Sequence, residues 1–446
     1  MGEWEELTLG EVYDFASGLS KPRSEFGSGY PFLSFKDVFY NHFVPENLSS
    51  LVRSDDRERQ ACSIKRGDVF LTRTSETMDE LGMSSVALRD IPNGTFNGFT
   101  KRLRPRKYDQ VAPEYAAYYF RSPLFRSSVT AMATMSTRAS LNNEMLDRLR
   151  ILLPPRKEQE AIGYTLKSLD DKIELNRRTN ETLEAMARAL FKDWFVDFGP
   201  TRAKMEGRDP YLAPDLWALF PDRLDEDGKP AGWHERPLGS LGEVAIGGLW
   251  GNDDPDGADC IPYSCLRGVD LQHLRESGEA LKAPLRYAKS TAVEKRMLST
   301  TDVLIASSGA GPCGRPLWIG IDGFFSNHSV TIYSNFVKKI TCNSPADACF
   351  LDRYLHEMRL TGEIQKFISG TSVPNLDDKG LLETERFVFA GPSILMAFYD
   401  FCMALQQNLY SGENRALAKT RDLLLPKLMS GEIRLRDAEK IAGEAL

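Results

Sequence analysis

The chain predicts an α+β protein built twice: two similar globular domains with mixed β-sheets, separated by two long helices that pair as an antiparallel coiled coil, in an internal pseudo-two-fold repeat. Three observations predict it. Landmarks recur in the same order, short β-rich runs recur between them, and each copy ends in a long amphipathic segment. Leu9-Gly10-Glu11-Val12 returns as Leu241-Gly242-Glu243-Val244, at an offset of roughly 230 residues, far longer than a solenoid repeat. Pro31 and Lys36 match Pro262 and Arg267, Asp68-Val69-Phe70-Leu71 matches Asp302-Val303-Leu304-Ile305, and Thr137 with Leu141 matches Thr371 with Leu376. The copies differ most in their middles, as one scaffold carrying two different surfaces would.

The first domain, residues 1–155, reads as short strands between turns: YPFLSFKDV, GDVFLTRTS, SSVALRD and GFTKRLRP are β-formers bounded by Gly, Pro, Asn or Asp. A helical stretch follows, EYAAYYFRSPLFRSSVTAMA, then a polar turn and the strand RLRILLPP. The second domain, residues 233–390, repeats the plan. Residues 199–232, rich in Pro, Gly and Asp, read as an extended connector with a short helix at Pro214–Phe220.

Residues 156–198 are the central long helix. From Glu158 to Phe195 the only Gly or Pro is Gly163. Ile162, Leu166, Leu169, Ile173, Asn176, Asn180, Leu183, Ala187, Leu190 and Trp194 alternate steps of four and three, the pattern of a coiled-coil seam. At 1.5 Å per residue the helix is on the order of 55 Å long, longer than one domain is wide. Residues 391–435 repeat the seam through Ile394, Phe398, Phe401, Leu405 and Asn408, then Asn414, Leu417, Leu424 and Leu428, with a small insertion at Ser411-Gly412. Residues 436–446 are a tail. Asn176 and Asn408 match, and a buried Asn in such a seam fixes register at some cost in stability. The simplest arrangement pairs the two helices with each other, antiparallel, as a spacer.

Composition narrows the function. The 446 residues give room for two cores, and 42% hydrophobic with 27% charged residues is ordinary for a globular protein. No run is long enough to span a membrane, and the opening MGEWEELTLG has neither part of a signal peptide. Seven cysteines, only one of them in the first half, fit reduced thiols of a cytoplasmic protein better than a disulfide framework. The net charge of −7 argues mildly against a free-standing nucleic-acid binder but not against a reader with local basic residues.

Catalytic and metal constellations are missing. The five histidines have no metal spacing, and there is no GxSxG elbow or GxxxxGK[ST] phosphate loop. Gly309-Ala310-Gly311-Pro312-Cys313-Gly314 is a literal GxGxxG, but RPLWIGIDGFF after it reads as a strand, where a dinucleotide site needs a helix. The Asp/Asn-Pro-Pro-aromatic tetrapeptide of amino-methyltransferases does not occur. What remains is polar and basic loops. Thr72-Arg73-Thr74-Ser75 corresponds to Ser307-Ser308-Gly309 with Arg315, and the basic run Thr100–Lys107 to Ser326-Asn327-His328-Ser329. Arg and Lys suit guanine edges and phosphates, while Asn and Ser suit adenine edges or backbone oxygens.

With these features in place, the chain resembles the specificity subunit of type I restriction–modification systems. The resemblance rests on LPPRKEQEAIGYTLKSLDDKIELNRRTNETLEAMARALFKDWFVDFGP and LLLPKLMSGEIRL, and on the paired starts Trp4…Leu9-Gly10-Glu11 and Trp233…Leu238-Gly239…Gly242-Glu243. It implies two target-recognition domains, each reading half of a split, asymmetric double-stranded DNA sequence. The helices would set the gap and dock two modification (methyltransferase) subunits. The chain would be non-catalytic and hold no cofactor. S-adenosylmethionine would bind to the modification subunits, and ATP with Mg to the restriction/translocase subunits.

On this reading Lys36, Thr72, Arg73, Thr74, Ser75, Lys101, Arg102, Arg104, Arg267, Ser307, Ser308, Arg315, Asn327 and His328 are the candidate DNA contacts, on loops laid into the major groove. Lys101 and Arg102 are expected to grip phosphates. Helix pairing is expected from Ile162, Leu166, Leu169, Ile173, Asn176, Leu183, Leu190, Phe398, Phe401, Leu405, Asn408, Leu417 and Leu424. Two rival classes remain: a structural adaptor whose paired domains bind proteins, which the acidic balance suits, and a self-contained methyltransferase, which lacks its motifs.

Overall fold

A computed structural model describes residues 4–74, 80–133, 140–278, 282–321, 330–433 and 435–445. The chain divides into two compact units, Met1–Glu174 with Glu413–Leu446, and Leu175–Gly412.

In the first unit the strands are β1 (Glu5–Thr8), β2 (Tyr13–Ser17), β3 (Phe26–Leu33), β4 (Leu51–Val52), β5 (Val69–Thr72), β6 (Ser84–Val86), β7 (Thr95–Phe96), β8 (Thr100–Pro105) and β9 (Arg150–Leu153). They form an antiparallel sheet in the order β2-β8-β5-β6, a second sheet β4-β3-β7, and the pair β1-β9. The second sheet is mixed, because β3 runs antiparallel to β4 and parallel to β7. All four residues of β5 are buried, so it lacks the in-and-out alternation of a half-exposed strand. Its Val69 and Leu71 share one core with Tyr115, Ile162, Leu166 and Leu169.

The expected strand YPFLSFKDV is only half strand: Phe35–Tyr40 is a helix. Ser34 caps it, its hydroxyl accepting the Asp37 N–H at 3.2 Å while the Asp37 carboxylate accepts the Ser34 N–H at 2.9 Å. This reciprocal capping box overrides the β-forming phenylalanines.

The second unit repeats the design. Its strands are β10 (His234–Pro237), β11 (Gly242–Val244), β12 (Cys260–Leu266), β13 (Leu285–Lys289), β14 (Asp302–Ala306), β15 (Pro316–Trp318), β16 (Thr331–Tyr333), β17 (Val337–Cys342), β18 (Ile368–Ser369), β19 (Asn375–Leu376) and β20 (Arg386–Phe389). The orders β11-β17-β14-β15, β13-β12-β16 and β10-β20 match the three sheets of the first unit, and the second unit adds the short antiparallel pair β18-β19. β12 is antiparallel to β13 and parallel to β16, as β3 is to its neighbours. The duplication extends to strand direction. It also corrects one alignment: β17, not Ser326–Ser329, stands where β8 stands, and residues 322–329 lie outside the described residues. The GxGxxG segment connects antiparallel β14 and β15 and opens no helix.

The central helix runs from Arg156 to Phe191 and continues as a π-helical turn, Lys192–Val196. Ile162, Leu166 and Leu169 are buried in the first unit with Leu417, Leu424 and Leu428, and Ile173 packs against them. There Lys172 pairs with Glu413 at 3.2 Å and Asp170 with Arg421 at 2.6 Å. In the second unit Phe398 packs on Phe191, Trp194 and Phe195, with ring centroids 5.9, 6.1 and 5.2 Å away. Leu190 packs on this core and Leu183 is half-buried. In the first unit Arg421 thus meets Asp170 and Glu413 meets Lys172, so the two segments run antiparallel there.

The C-terminal segment departs from the expected single helix in three ways. It breaks into Pro392–Leu409 and Glu413–Ser430, with Gly412 between them at φ +76°, a left-handed conformation that favours glycine. In Pro392–Leu409 the buried positions are Ile394, Leu395, Phe398, Cys402 and Gln406. Phe401 and Leu405 are half-buried, Asn176 is half-buried, and Asn408 is exposed, so no buried asparagine pair fixes register. The reason is a second neighbour: this helix also packs against the helix Pro345–Thr361, which rotates and widens its buried face beyond a two-helix seam. Finally, Leu435–Ala445 is a helix rather than a tail, and Ala438 and Ala442 are buried in the first unit's core.

The expected connector holds the helix Pro214–Leu219 and an unforeseen one, Gly199–Met205. It is pinned by Phe220, whose ring lies 5.1 Å from that of Trp194. Among the described residues no helix is long and apolar enough to cross a membrane.

Candidate nucleic-acid interface

Both units place their divergent loops on the same backbone frame. After β5, the Arg73 N–H donates to the Phe99 carbonyl at 2.9 Å, the Arg73 carbonyl accepts the Leu141 N–H at 2.8 Å, and Thr74 bridges to Ser140. After β14, the Ser307 N–H donates to the Phe336 carbonyl at 2.9 Å, the Ser307 carbonyl accepts the Leu376 N–H at 2.9 Å, and Ser308 bridges to Asn375. Arg73 and Thr74 therefore stand where Ser307 and Ser308 stand. Identical backbone bonds hold different side chains at these two positions.

The expected contact residues separate into two groups. Lys36 is exposed on the helix that Ser34 caps, and Arg73, Thr74, Ser308 and Arg315 are half-buried at the loops. Ser75, Asn327 and His328 lie outside the described residues. The others are committed internally. Thr72 is buried, its hydroxyl donating to the Glu80 carbonyl and accepting the Met83 N–H, both at 2.9 Å. Ser307 is buried as well. Arg267 binds Asp270 through two nitrogens at 2.9 and 3.1 Å, and this hydrogen-bonded carboxylate raises the guanidinium's pKa. Arg315 reaches the Gly311 carbonyl at 3.5 Å, and burial together with the neighbouring Arg359 lowers its pKa.

The basic run is the largest correction. Thr100–Pro105 is the strand β8 within a sheet, not a surface loop, and Lys101 and Arg102 are buried. Lys101 Nζ donates to Ser17 Oγ at 2.9 Å and Asn143 Oδ1 at 2.7 Å. Arg102 Nη1 donates to the Ser63 and Ala61 carbonyls at 2.7 and 3.2 Å. Burial lowers the pKa of both. Arg104 pairs with the buried carboxylate of Asp68 at 2.6 Å, and that hydrogen bond raises its pKa. Such a strand sends some side chains into the unit, and these long cations reach acceptors there, so none of the three is a free phosphate grip.

Sequence reasoning missed two residues beside these loops. Phe99 and Phe336, whose carbonyls anchor the loops, are 60% and 53% exposed. The available signal was an aromatic three residues ahead of each, in Phe96-Asn97-Gly98-Phe99 and Tyr333-Ser334-Asn335-Phe336.

The chain is similar to known proteins of one family. Residues 1–185 match the model of the type I restriction modification DNA specificity domain. The chain is 24% identical to the type I restriction enzyme MjaIX specificity subunit of Methanocaldococcus jannaschii, over 96% of this chain and 92% of that one. It is also 24% identical to the HindI specificity subunit of Haemophilus influenzae, over 97% and 100% respectively. Among solved structures, the S subunit of a type I restriction-modification system from M. genitalium shares the fold, with TM-score 0.54, 13% identity and 96% of each chain covered.

Proposed function

We propose that the chain is a type I restriction–modification specificity subunit, as its similarity to that family supports, and that its units read the two halves of a split, asymmetric double-stranded DNA target. The carrying observation is the repeated backbone frame with different loop side chains, Arg73-Thr74 in one unit and Ser307-Ser308 in the other. A palindromic target would call for like side chains at like positions. In this reading the exposed Lys36 and the half-buried Arg73 and Arg315 supply local positive charge to a chain of net charge −7, and partner subunits supply the rest of the phosphate grip.

The chain itself performs no chemistry in this proposal. Two modification subunits dock on the helices, bind S-adenosylmethionine and flip the target adenine. Restriction/translocase subunits using ATP and Mg join them, and the assembly works in the cytoplasm, where the DNA is.

Light scattering of the chain alone and mixed with its modification subunit tests the proposal. A complex of one chain with two modification subunits, and no S-adenosylmethionine binding by the chain alone, is the expected result. A chain that dimerises unaided and ignores the modification subunit would be an adaptor instead. Cofactor binding by the isolated chain would make it a methyltransferase.

A further inference from the structure

The two units share a turn whose side chain has no internal role. In the first, the Thr100 N–H donates to the Asn97 carbonyl at 3.0 Å, and the Asn97 side chain accepts the Phe99 N–H at 2.7 Å. In the second, the Val337 N–H donates to the Ser334 carbonyl at 2.9 Å. The third residue of each four-residue turn is a phenylalanine, Phe99 or Phe336.

Each turn is held from two further directions. The phenylalanine carbonyl accepts the N–H of the residue that opens the divergent loop, Arg73 or Ser307, at 2.9 Å in both units. Opposite lies a glycine: a Cβ on Gly18 would sit 2.2 Å from the Asn97 carbonyl oxygen, and one on Gly248 would sit 2.1 Å from that of Ser334. The residues that follow, Leu19 and Leu249, donate their N–H groups to the carbonyls of Phe96 and Tyr333 at 2.7 and 2.9 Å. Only glycine permits this approach. It occurs twice.

A fixed backbone thus projects a ring that stays largely in water. One exposed phenylalanine is ordinary on a protein surface. Two at the same place in a duplicated turn, beside loops that have otherwise diverged, are better explained by a shared use. The loops supply polar groups for base edges and phosphates, but neither Arg73-Thr74 nor Ser307-Ser308 offers an apolar surface of this size. The methyl group of thymine is the apolar feature that the major groove presents, and side-chain apolar groups, phenylalanine included, read it.

We propose that Phe99 and Phe336 are base-contacting residues, one per half-site, each laying its ring against a thymine methyl in the major groove beside its loop. The inference rests on the specificity-subunit reading and assigns part of that recognition to two named rings. Because a turn set by backbone bonds presents each ring, replacing the ring leaves the frame intact.

The test uses the full chain in cells that make its modification subunit, with adenine-methylation sequencing of the wild type, Phe99→Ala and Phe336→Ala. F99A is expected to relax one T·A position in one half-site, by roughly tenfold in selectivity, and to leave the other half unchanged. F336A is expected to do the same in the other half. Phe99→Leu, which keeps apolar bulk, should fall between F99A and wild type, and all variants should melt with the wild type. A wild-type motif from both alanine variants, or an equal loss in both halves, would overturn the assignment. If the wild-type chain itself produces no split motif, the specificity-subunit reading fails first, and the two failures are told apart.

Discussion

Asp68 and Asp302 do the same work in the two units. Both are buried, Asp68 immediately before β5 and Asp302 as the first residue of β14, and each accepts a backbone N–H from three residues earlier, Lys65 at 2.7 Å and Ser299 at 2.9 Å. Each also receives a donor from the equivalent cross-strand position, Arg104 Nε at 2.7 Å or Thr341 Oγ1 at 2.7 Å. In the second unit Lys339 adds its charge at 3.3 Å. The duplication therefore reaches individual buried carboxylates, while the groups that neutralise them have changed.

Removing the partner of the fully buried carboxylate should be costly. Arg104→Met leaves Asp68 with the Lys65 N–H but no paired cation, and a stranded buried charge costs about 3 kcal/mol. Urea unfolding should show the first unit losing that much while the second is unchanged. Adding Asp68→Asn to Arg104→Met should recover part of the loss.

Lys101 and Arg102 should behave as parts of the framework. Lys101→Met and Arg102→Met should lower the melting temperature without changing the salt dependence of DNA binding by the assembled complex. Lys36, which is exposed, should do the reverse: Lys36→Ala should leave melting unchanged and reduce the log–log salt slope by about 1. Titrating binding from low to moderate salt decides between these roles.

Acid should destabilise both units through histidines kept neutral. Burial first, then Arg121, holds His42 down to about 4, and burial, then Arg275, holds His356 down to about 3. The unfolded chain binds protons at these positions below its ordinary histidine pKa of 6.5, whereas the folded chain refuses them until about 4 or 3. Stability is therefore full above about pH 6.5 and falls as pH drops through that window, by roughly 2 kcal/mol for each histidine near pH 4.5. Melting temperatures across pH 7.5 to 4.5 should show the fall, and His356→Gln should flatten it for the second unit alone.

Glu184 should matter to how the second unit grips its helix. It projects from the central helix to Arg353 and, at 3.3 Å, to Arg275. Burial opposes its ionisation, but the two guanidiniums outweigh burial and bring its carboxyl down to about 2. Its stabilisation is present above the unfolded value of 4.5 and is lost as pH falls toward 2. Glu184→Gln should lower the second unit's melting temperature at pH 7 and narrow its difference from wild type at pH 3.

The repeat and the central helix were legible because both depend on patterns within the chain: recurring landmarks and a long apolar period. The helix Phe35–Tyr40 was legible too, in Ser34 with Asp37 three residues on, but β-forming aromatics masked that capping signal. What could not be read were outcomes set by distant neighbours. Asn408 is exposed because the buried face of its helix turns toward the helix Pro345–Thr361 and away from the expected seam, and Lys101 is internal because Ser17 and Asn143 wait at its tip. A run of cations looks the same in one dimension whether it meets water or buried acceptors. The aromatic turns escaped because their common frame is a set of backbone bonds, to which residue identity gives few clues.

The most direct measurement is adenine-methylation sequencing of cells that make the cognate modification subunit, with and without this gene. The account predicts a methylated motif that is split, asymmetric and present only with the gene. No new motif, from a chain that is folded and bound to the modification subunit, would contradict it.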